Sequence, residues 1–341
     1  MEKYGVGVFG IGWVAGEHIK AYMQNPHMEV RALASRRKES ALAKKDELGL
    51  DCDILDDYES ILERDDIDII DLCTPNVLHA QETIDAASAG KHVVIEKPIA
   101  MNIEELKAAR DAVVKAGVKS QVGFVSRWNP HVRSIRKMIE KGGLGEVFYT
   151  EIDYYHEIGP WWSGWNWGAN TIKDGPSASL VAGCHAVDLL YYLGGEVDEV
   201  FAYGTFGHRK DYEYEPTYAA VVKFKNGKIG KTGCSFENEC PYVMNIILHG
   251  SKGSVLNEKF YTKEWFPGQQ GWQKFNTIYL DSGDVVHHPF KEMVDDLAKA
   301  LVADKEATAN IHESYKSHEI CLAIDRSIET GQVVKLPLTE D

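Results

Sequence analysis

The sequence lacks the patterns that mark several classes of protein. No apolar run approaches the roughly 18 residues that a membrane span needs, and no apolar segment resembles a signal peptide. The six cysteines include no C-x-x-C pair and no metal-ligand spacing, so we expect reduced thiols, a cytoplasmic protein and no metal site. With 37 basic and 52 acidic residues the net charge is -15, which argues against nucleic-acid and membrane partners.

The first 122 residues alternate short strands and helices. Short stretches rich in Val and Ile predict buried parallel strands at 5–9, 29–34, 67–72, 92–95 and 119–122. Helices are predicted between them at 14–24, 37–48, 57–63, 77–89 and 103–116. This alternation predicts an α/β fold with a doubly wound parallel sheet, a Rossmann domain over residues 1–122.

Residues 123–341 follow a different pattern, which predicts a second domain. Helices are predicted at 130–141, 180–193, 290–302 and 312–330, and a strand at 146–155. Hairpin turns are predicted at Asn226-Gly227, Lys252-Gly253 and Ser282-Gly283; the first two join strands 219–225 to 228–236 and 244–250 to 254–257. We therefore expect an α+β domain with a mostly antiparallel sheet and helices on one face.

An early glycine pattern gives the first functional signal. Gly10-x-Gly12-x-x-Ala15 follows the first predicted strand and opens the first predicted helix. In this pattern the first glycine permits a tight turn, the second lets a phosphate approach the main chain, and the alanine lets the helix pack closely. The helix N-terminus attracts the anion. We predict a dinucleotide site in which Gly10, Gly12, Trp13 and Val14 contact the cofactor.

The end of the second predicted strand bears on which dinucleotide binds. An acidic residue there would bind the ribose 2′-hydroxyl of NAD. The sequence instead has Ser35, Arg36 and Arg37, and a guanidinium group pairs well with a phosphate. We therefore predict a preference for NADP(H). In the alternative, the arginines open the next helix and face solvent, and NAD(H) is usable.

Four short motifs occur in the order found in a known enzyme family: the glycine pattern, Cys73-Thr74-Pro75-Asn76-x-x-His79, Glu96-Lys97-Pro98 and Gly183-Cys184-His185-x-x-Asp188. The whole chain resembles the glucose–fructose oxidoreductase / inositol dehydrogenase (Gfo/Idh/MocA) family. The resemblance implies a Rossmann domain followed by a domain with a large open sheet for substrate binding and oligomerisation. It also implies NAD(P)-dependent oxidation or reduction of a sugar, glycoside or cyclitol, and homodimers or homotetramers.

The resemblance also implies catalytic residues. The lysine matching Lys97 binds the reacting oxygen in the family, and a desolvated lysine can shuttle a proton. The histidine matching His185 exchanges a proton with the substrate hydroxyl, and we predict that Asp188, three residues later, orients it or binds substrate. Many relatives carry an aspartate four residues before this histidine, but Val181 occupies that position here. The usual Lys–Asp–His set is therefore incomplete.

The remaining motif residues are predicted to line the cofactor or the substrate. Cofactor contacts are assigned to Thr74, Pro75, Asn76, His79, Glu96 and Lys97. Substrate contacts are assigned to Lys97, Arg127, Trp128, Asn129, His156, Trp162, Trp165 and His185. The segment 161–167 holds four of the eight tryptophans, whose faces can stack on sugar rings. Loop packing or a subunit contact would also explain a tryptophan-rich segment.

Two other functions fit the same motifs. A glycosidase- or lyase-type enzyme could use tightly bound NAD(P) to oxidise a sugar ring transiently, because a ring ketone acidifies the neighbouring C–H bond. A non-catalytic dinucleotide sensor would need neither Lys97 nor His185, so their presence argues against that alternative. Net turnover of added NAD(P) distinguishes a dehydrogenase from both.

Overall fold

The computed structural model describes residues 3–162, 165, 168–278 and 288–339. Contacts divide the chain into two units, one formed by Met1–Gly123 with Pro289–Tyr315 and the other by Phe124–His288 with Lys316–Asp341. The division predicted from the sequence did not include the return of 289–315 to the first unit. A helical pattern carries no information about which unit the helix packs against.

The first unit is built from alternating strands and helices. Its strands are β1 Tyr4–Phe9, β2 Met28–Ala34, β3 Asp53–Leu55, β4 Ile69–Leu72, β5 His92–Ile95 and β6 Ser120–Val122. Its helices before residue 123 are α1 Trp13–Met23, α2 Lys38–Leu48, α3 Tyr58–Leu62, α4 His79–Ser88 and α5 Ile103–Ala116, with a 3₁₀ turn at Asn76–Leu78. Helix α1 packs through the fully buried Ala15, Ile19 and Tyr22.

Within the described residues, the six strands form one parallel sheet in the order β3-β2-β1-β4-β5-β6. The predicted doubly wound sheet is confirmed. Strand β3 was missed, because it has three residues and none of them is buried. The strand order reverses between β1 and β4, so their carboxyl ends form the switch point at which such sheets bind ligands.

The second unit combines helices with a large sheet. Its helices are α6 Pro130–Glu140 and α7 Cys184–Gly194, with a π-helical turn Ser179–Gly183 directly before α7. Its strands are β7 Val147–Tyr155, β8 Val197–Thr205, β9 Thr217–Phe224, β10 Ile229–Ser235, β11 Val243–Gly250, β12 Gly253–Leu256, β13 Lys259–Thr262 and β14 Gln273–Lys274. The chain ends with α8 Phe290–Val302, α9 Ile311–Thr330 and β15 Val334–Lys335.

In the described part of the chain, nine strands form this sheet in the order β14-β13-β12-β11-β7-β10-β9-β8-β15. All neighbouring strands are antiparallel except β7 and β10, which confirms the predicted mostly antiparallel sheet. The sequence patterns did not predict β8, β13, β14 or β15. The turn predicted at Ser282-Gly283 lies outside the described residues.

Two findings concern the absences noted in the sequence. No helix within the described residues is long and apolar enough to cross a membrane. All six cysteines are free thiols, of which Cys240 is exposed and the other five are buried.

Candidate functional site

The glycine pattern forms an open cradle at the N-terminus of α1. Gly10 has a φ of +88°, and a Cβ there would lie 2.6 Å from the backbone carbonyl of Cys73 at the end of β4. Gly12 precedes α1, and a Cβ there would meet no atom within 4 Å. No side chain caps this helix, so its first N–H groups are left without a side-chain acceptor at the cap. The residues present therefore fit the pyrophosphate of a dinucleotide.

The end of β2 carries cationic side chains. Ser35 follows the strand, and its hydroxyl accepts a hydrogen bond from the backbone N–H of Arg37 at 3.2 Å. Arg36 and Arg37 are exposed, and α2 begins at the next residue, Lys38. The arginines are thus accessible to a ligand, and no carboxylate occupies positions 34–37.

The loop after β4 is held by buried side chains. The hydroxyl of Thr74 donates to the carboxylate of Glu82, whose backbone carbonyl accepts a hydrogen bond from Tyr58. Burial raises the pKa of Glu82 to about 7, although Thr74 and Arg36 act in the opposite direction. The hydrogen bond to Glu82 therefore fixes the orientation of the Thr74 hydroxyl.

His79 has a different role from the cofactor contact that was predicted. Its Nδ1 lies 2.7 Å from the carbonyl oxygen of Pro98, and its Nε2 lies 2.9 Å from that of Thr74. The ring is almost completely buried. His79 thus joins the loops that follow β4 and β5.

Glu96 and Lys97 follow β5 at the carboxyl edge of the same sheet. Lys97 is half-buried, while Glu96 is buried. The backbone N–H of Lys97 donates to Glu96 Oε2 at 3.3 Å, and His18 Nε2 lies 3.2 Å from Glu96 Oε1. Burial alone would raise the pKa of Glu96, but contact with His18 and the charge of Lys97 hold that pKa below its usual value.

In the second unit, His185 lies within a cluster of rings. Its ring centroid is 6.3 Å from that of Tyr154 and 6.4 Å from those of Phe124 and His288. The hydroxyl of Tyr154 lies 3.0 Å from Nδ1 of His156. Burial, with a smaller contribution from His288, lowers the pKa of His156 to about 4, so this ring is neutral near pH 7. The cluster therefore combines the apolar ring faces of Tyr154 and Phe124 with the imidazole nitrogens of the histidines.

Asp188 and Arg127 are paired with each other. Arg127 Nε donates to Asp188 Oδ2 at 2.9 Å and Nη2 donates to Oδ1 at 2.6 Å. Ser317 Oγ donates to Oδ1 at 2.7 Å. Asp188 is 1% exposed and Arg127 is 2% exposed. These contacts engage both oxygens of Asp188 within the protein, so we expect a structural part for the pair, and their roles at the substrate stay predictions.

Trp128 and Asn129 are also withdrawn from solvent. Asn129 is 1% exposed, and its side-chain oxygen accepts a hydrogen bond from the backbone N–H of His131 at 2.9 Å. This contact caps the N-terminus of α6, where Pro130 is the first residue. Trp128 is buried as well. The segment that was predicted to contact substrate therefore anchors α6.

The tryptophan-rich segment packs around an arginine. The guanidinium carbon of Arg209 lies 5.3 Å from the ring centroids of both Trp161 and Trp165 and 5.7 Å from that of Tyr212. Trp161 nevertheless remains largely exposed, and Trp162 and Trp165 are half-buried. Positions 163, 164, 166 and 167, including Trp167, lie outside the described residues. The described tryptophans keep surface that a ligand can reach.

Sequence reasoning missed three residues that shape these surroundings. Tyr154, His288 and Arg209 contact predicted site residues, yet none belongs to a recognised motif. Tyr154 falls in a strand pattern and Arg209 in a loop, and neither position carries a local signal. His288 lies directly before Pro289 and α8. No sequence pattern connects it with His185.

Comparisons with known proteins identify the family of this chain. Residues 4–124 match the profile described as "Oxidoreductase family, NAD-binding Rossmann fold", and residues 132–256 match the GFO/IDH/MocA C-terminal domain. Levoglucosan dehydrogenase from Pseudarthrobacter phenanthrenivorans is 27% identical over 86% of this chain and 83% of its own. D-glucoside 3-dehydrogenase from Escherichia coli is 26% identical over 97% of each chain. A levoglucosan dehydrogenase structure with NADH and L-sorbose covers 99% of this chain and 100% of its own, with a TM-score of 0.86 and 23% identity.

Proposed function

Because the chain belongs to the GFO/IDH/MocA oxidoreductase family, we propose that it transfers a hydride between a nicotinamide dinucleotide and a hydroxyl-bearing carbon of a sugar, glycoside or cyclitol. Two of its relatives are named as dehydrogenases of levoglucosan and of D-glucosides. The dinucleotide supplies the hydride acceptor or donor when it is bound.

One observation carries the proposal. The open cradle at Gly12 and the half-buried Lys97 lie at the carboxyl edge of the same parallel sheet, after β1 and β5. That edge is where doubly wound folds bind nucleotide ligands. A cationic side chain is thus available on the same sheet edge as an anion-binding helix N-terminus.

The proposed division of labour follows from the chemistry of each side chain. Lys97 donates a hydrogen bond to the reacting oxygen, which stabilises negative charge that develops there. His185 exchanges the hydroxyl proton, for which an imidazole is suited near neutral pH. Accessible rings at Trp162 and Trp165 stack on the C–H faces of the sugar.

The decisive experiment follows reduced-nicotinamide absorbance with NAD⁺ or NADP⁺ and a panel of sugars, glycosides and inositols. An increase in this absorbance with one substrate supports the proposal. The variant Lys97→Met should abolish the increase and retain its affinity for NADH. Lys115→Met is the control, because Lys115 is exposed near the end of α5. Absence of turnover together with cofactor that co-purifies would favour the transient-oxidation enzyme.

The finer cofactor preference is a second part of the proposal. Accessible guanidinium groups at Arg36 and Arg37, with no carboxylate beside them, favour the 2′-phosphate of NADP(H). The double variant Arg36→Ala/Arg37→Ala should lose affinity for NADPH by about tenfold or more and leave NADH affinity nearly unchanged. Equal loss for both cofactors would contradict the preference.

The proposal also includes a homodimer or homotetramer. One face of the large sheet exposes apolar and aromatic side chains, among them Tyr203 at 70%, Val221 at 57% and Ile229 at 56%. On β9 these outward positions alternate with buried ones, so the exposed side chains share one face. Val221→Lys should shift the protein toward monomer in analytical ultracentrifugation. The cytoplasmic location stays a prediction.

A further inference from the structure

A buried histidine lies between two buried carboxylates behind Lys97. His18 Nδ1 is 2.9 Å from Asp71 Oδ2, and Nε2 is 3.2 Å from Glu96 Oε1. All three residues belong to the first unit, and each is less than 10% exposed. A neutral imidazole carries one N–H, so one of its nitrogens would present a lone pair to a carboxylate. Only the imidazolium presents positive charge to both carboxylates, and its Nε2 meets Glu96 as an ion pair without forming a hydrogen bond.

The other groups around the ring are consistent with a cation. Asp71, on β4, also accepts a hydrogen bond from the Tyr22 hydroxyl at 3.0 Å. The thiol of Cys73 lies 3.7 Å from His18 Nδ1, and the ring of Phe290 on α8 packs at 5.2 Å. Burial would lower the pKa of His18, but its interactions with Asp71 outweigh this effect and raise the pKa well above its usual value.

The second carboxylate links this cation to the lysine. Glu96 Oε2 accepts the backbone N–H of Lys97, and a Cβ at position 123 would lie 2.5 Å from Oε1. The absence of a side chain at Gly123 therefore leaves the space that this carboxylate occupies. Two carboxylates, the imidazolium and the Lys97 ammonium together carry no net charge. Removal of the imidazolium would leave two desolvated carboxylates for one lysine, which favours protonation of Glu96.

We propose that His18 is a positioning residue, which as an imidazolium holds the Glu96 carboxylate ionised and in place beside Lys97. The inference rests on the proposed function for the substrate-facing role of Lys97. His18 itself contacts neither substrate nor cofactor. Its effect passes through the Glu96 carboxylate, with which it forms an ion pair.

The test measures the reactivity of Lys97 toward an amine-acylating reagent at about pH 8, without substrate, by peptide mass spectrometry. In His18→Gln the Glu96 carboxylate loses its buried counter-charge, which alters the surroundings of the adjacent Lys97, so Lys97 should be acylated about tenfold faster relative to Lys115. His131→Gln is the matched control, because His131 is also buried and contacts the carbonyl of Asn257 and the hydroxyl of Thr277. An unchanged Lys97 rate in His18→Gln overturns the proposal.

Two further measurements protect the test against misfolding. If His18→Gln does not fold, Glu96→Gln removes the carboxylate directly and should accelerate acylation of Lys97 to the same extent. In the wild-type protein, ¹⁵N spectra should show the His18 ring with both nitrogens protonated at about pH 8, and a neutral ring refutes the inference. If Lys97→Met retains turnover, the proposed function fails, whereas the acylation and NMR results still decide the charge of His18.

Discussion

Replacement of Asp188 by alanine tests whether this motif aspartate is structural or catalytic. The change leaves the Arg127 guanidinium buried without its carboxylate, since both side chains are almost fully withdrawn from water. Breaking a buried ion pair from one side costs about 3–5 kcal/mol. For a unit of this size, such a loss lowers the thermal midpoint by about 10 °C. The measurement is thermal unfolding by circular dichroism, with Glu239→Ala as the exposed-carboxylate control.

A compensating double variant separates the two roles of Asp188. Arg127→Met/Asp188→Leu replaces the pair with apolar side chains, which usually restores most of the stability lost by the single change. No uncompensated charge remains in this variant, so the fold should be restored. Because we place neither residue against the substrate, turnover should then return to within about threefold of the wild-type value. A stable double variant without turnover would refute the reasoning, as would an inactive Asp188→Ala protein whose thermal midpoint is unchanged.

Three further predictions follow from the contacts of single residues. Gly10→Ala should destabilise the protein by about 2–4 kcal/mol, because residue 10 has a positive φ and a Cβ there would clash with backbone. Gly12→Ala should keep the thermal midpoint and weaken NADH binding about tenfold in titration calorimetry. The pKa of Glu82 is raised from 4.5 to about 7, so wild-type stability falls as the pH rises through this window. Glu82→Gln should remove that dependence in urea unfolding and gain up to about 3 kcal/mol above pH 7. Arg209→Met should weaken the packing of Trp161 by about 1 kcal/mol, seen as a red-shifted tryptophan emission and weaker sugar binding.

Local chemistry explains which parts of the fold could be predicted. The glycine cradle depends on a positive φ at Gly10 and on open space at Gly12, both of which leave a mark in the sequence itself. Helix α8 was predicted with its observed bounds, because its apolar residues recur at helical spacing. The turn at Asn226-Gly227 likewise fixes the β9–β10 hairpin, since Gly227 takes a positive φ.

The parts that could not be predicted depend on contacts between distant residues. Arg127 and Asp188 are separated by 61 positions, and no local pattern shows that they satisfy each other's charge. Strand β15 has two residues, and it is a strand only because β8 pairs with it. The contact between His18 and Glu96 likewise forms only because α1 and the end of β5 meet in the folded unit.

Motif membership and ligand contact are separate properties, and the protein partners of each motif side chain help to distinguish them. His79 and Asp188 both lie in motifs shared with the family, yet each is buried with its polar atoms engaged by protein partners. Gly12 and Lys97 lie in motifs as well, but they keep surface at the edge of the sheet. A motif residue can serve either purpose, since a misplaced loop impairs hydride transfer as surely as a missing proton donor. Lys97 and the buried His185 are thus the residues to test by activity, and Asp188 and His79 by stability together with rescue.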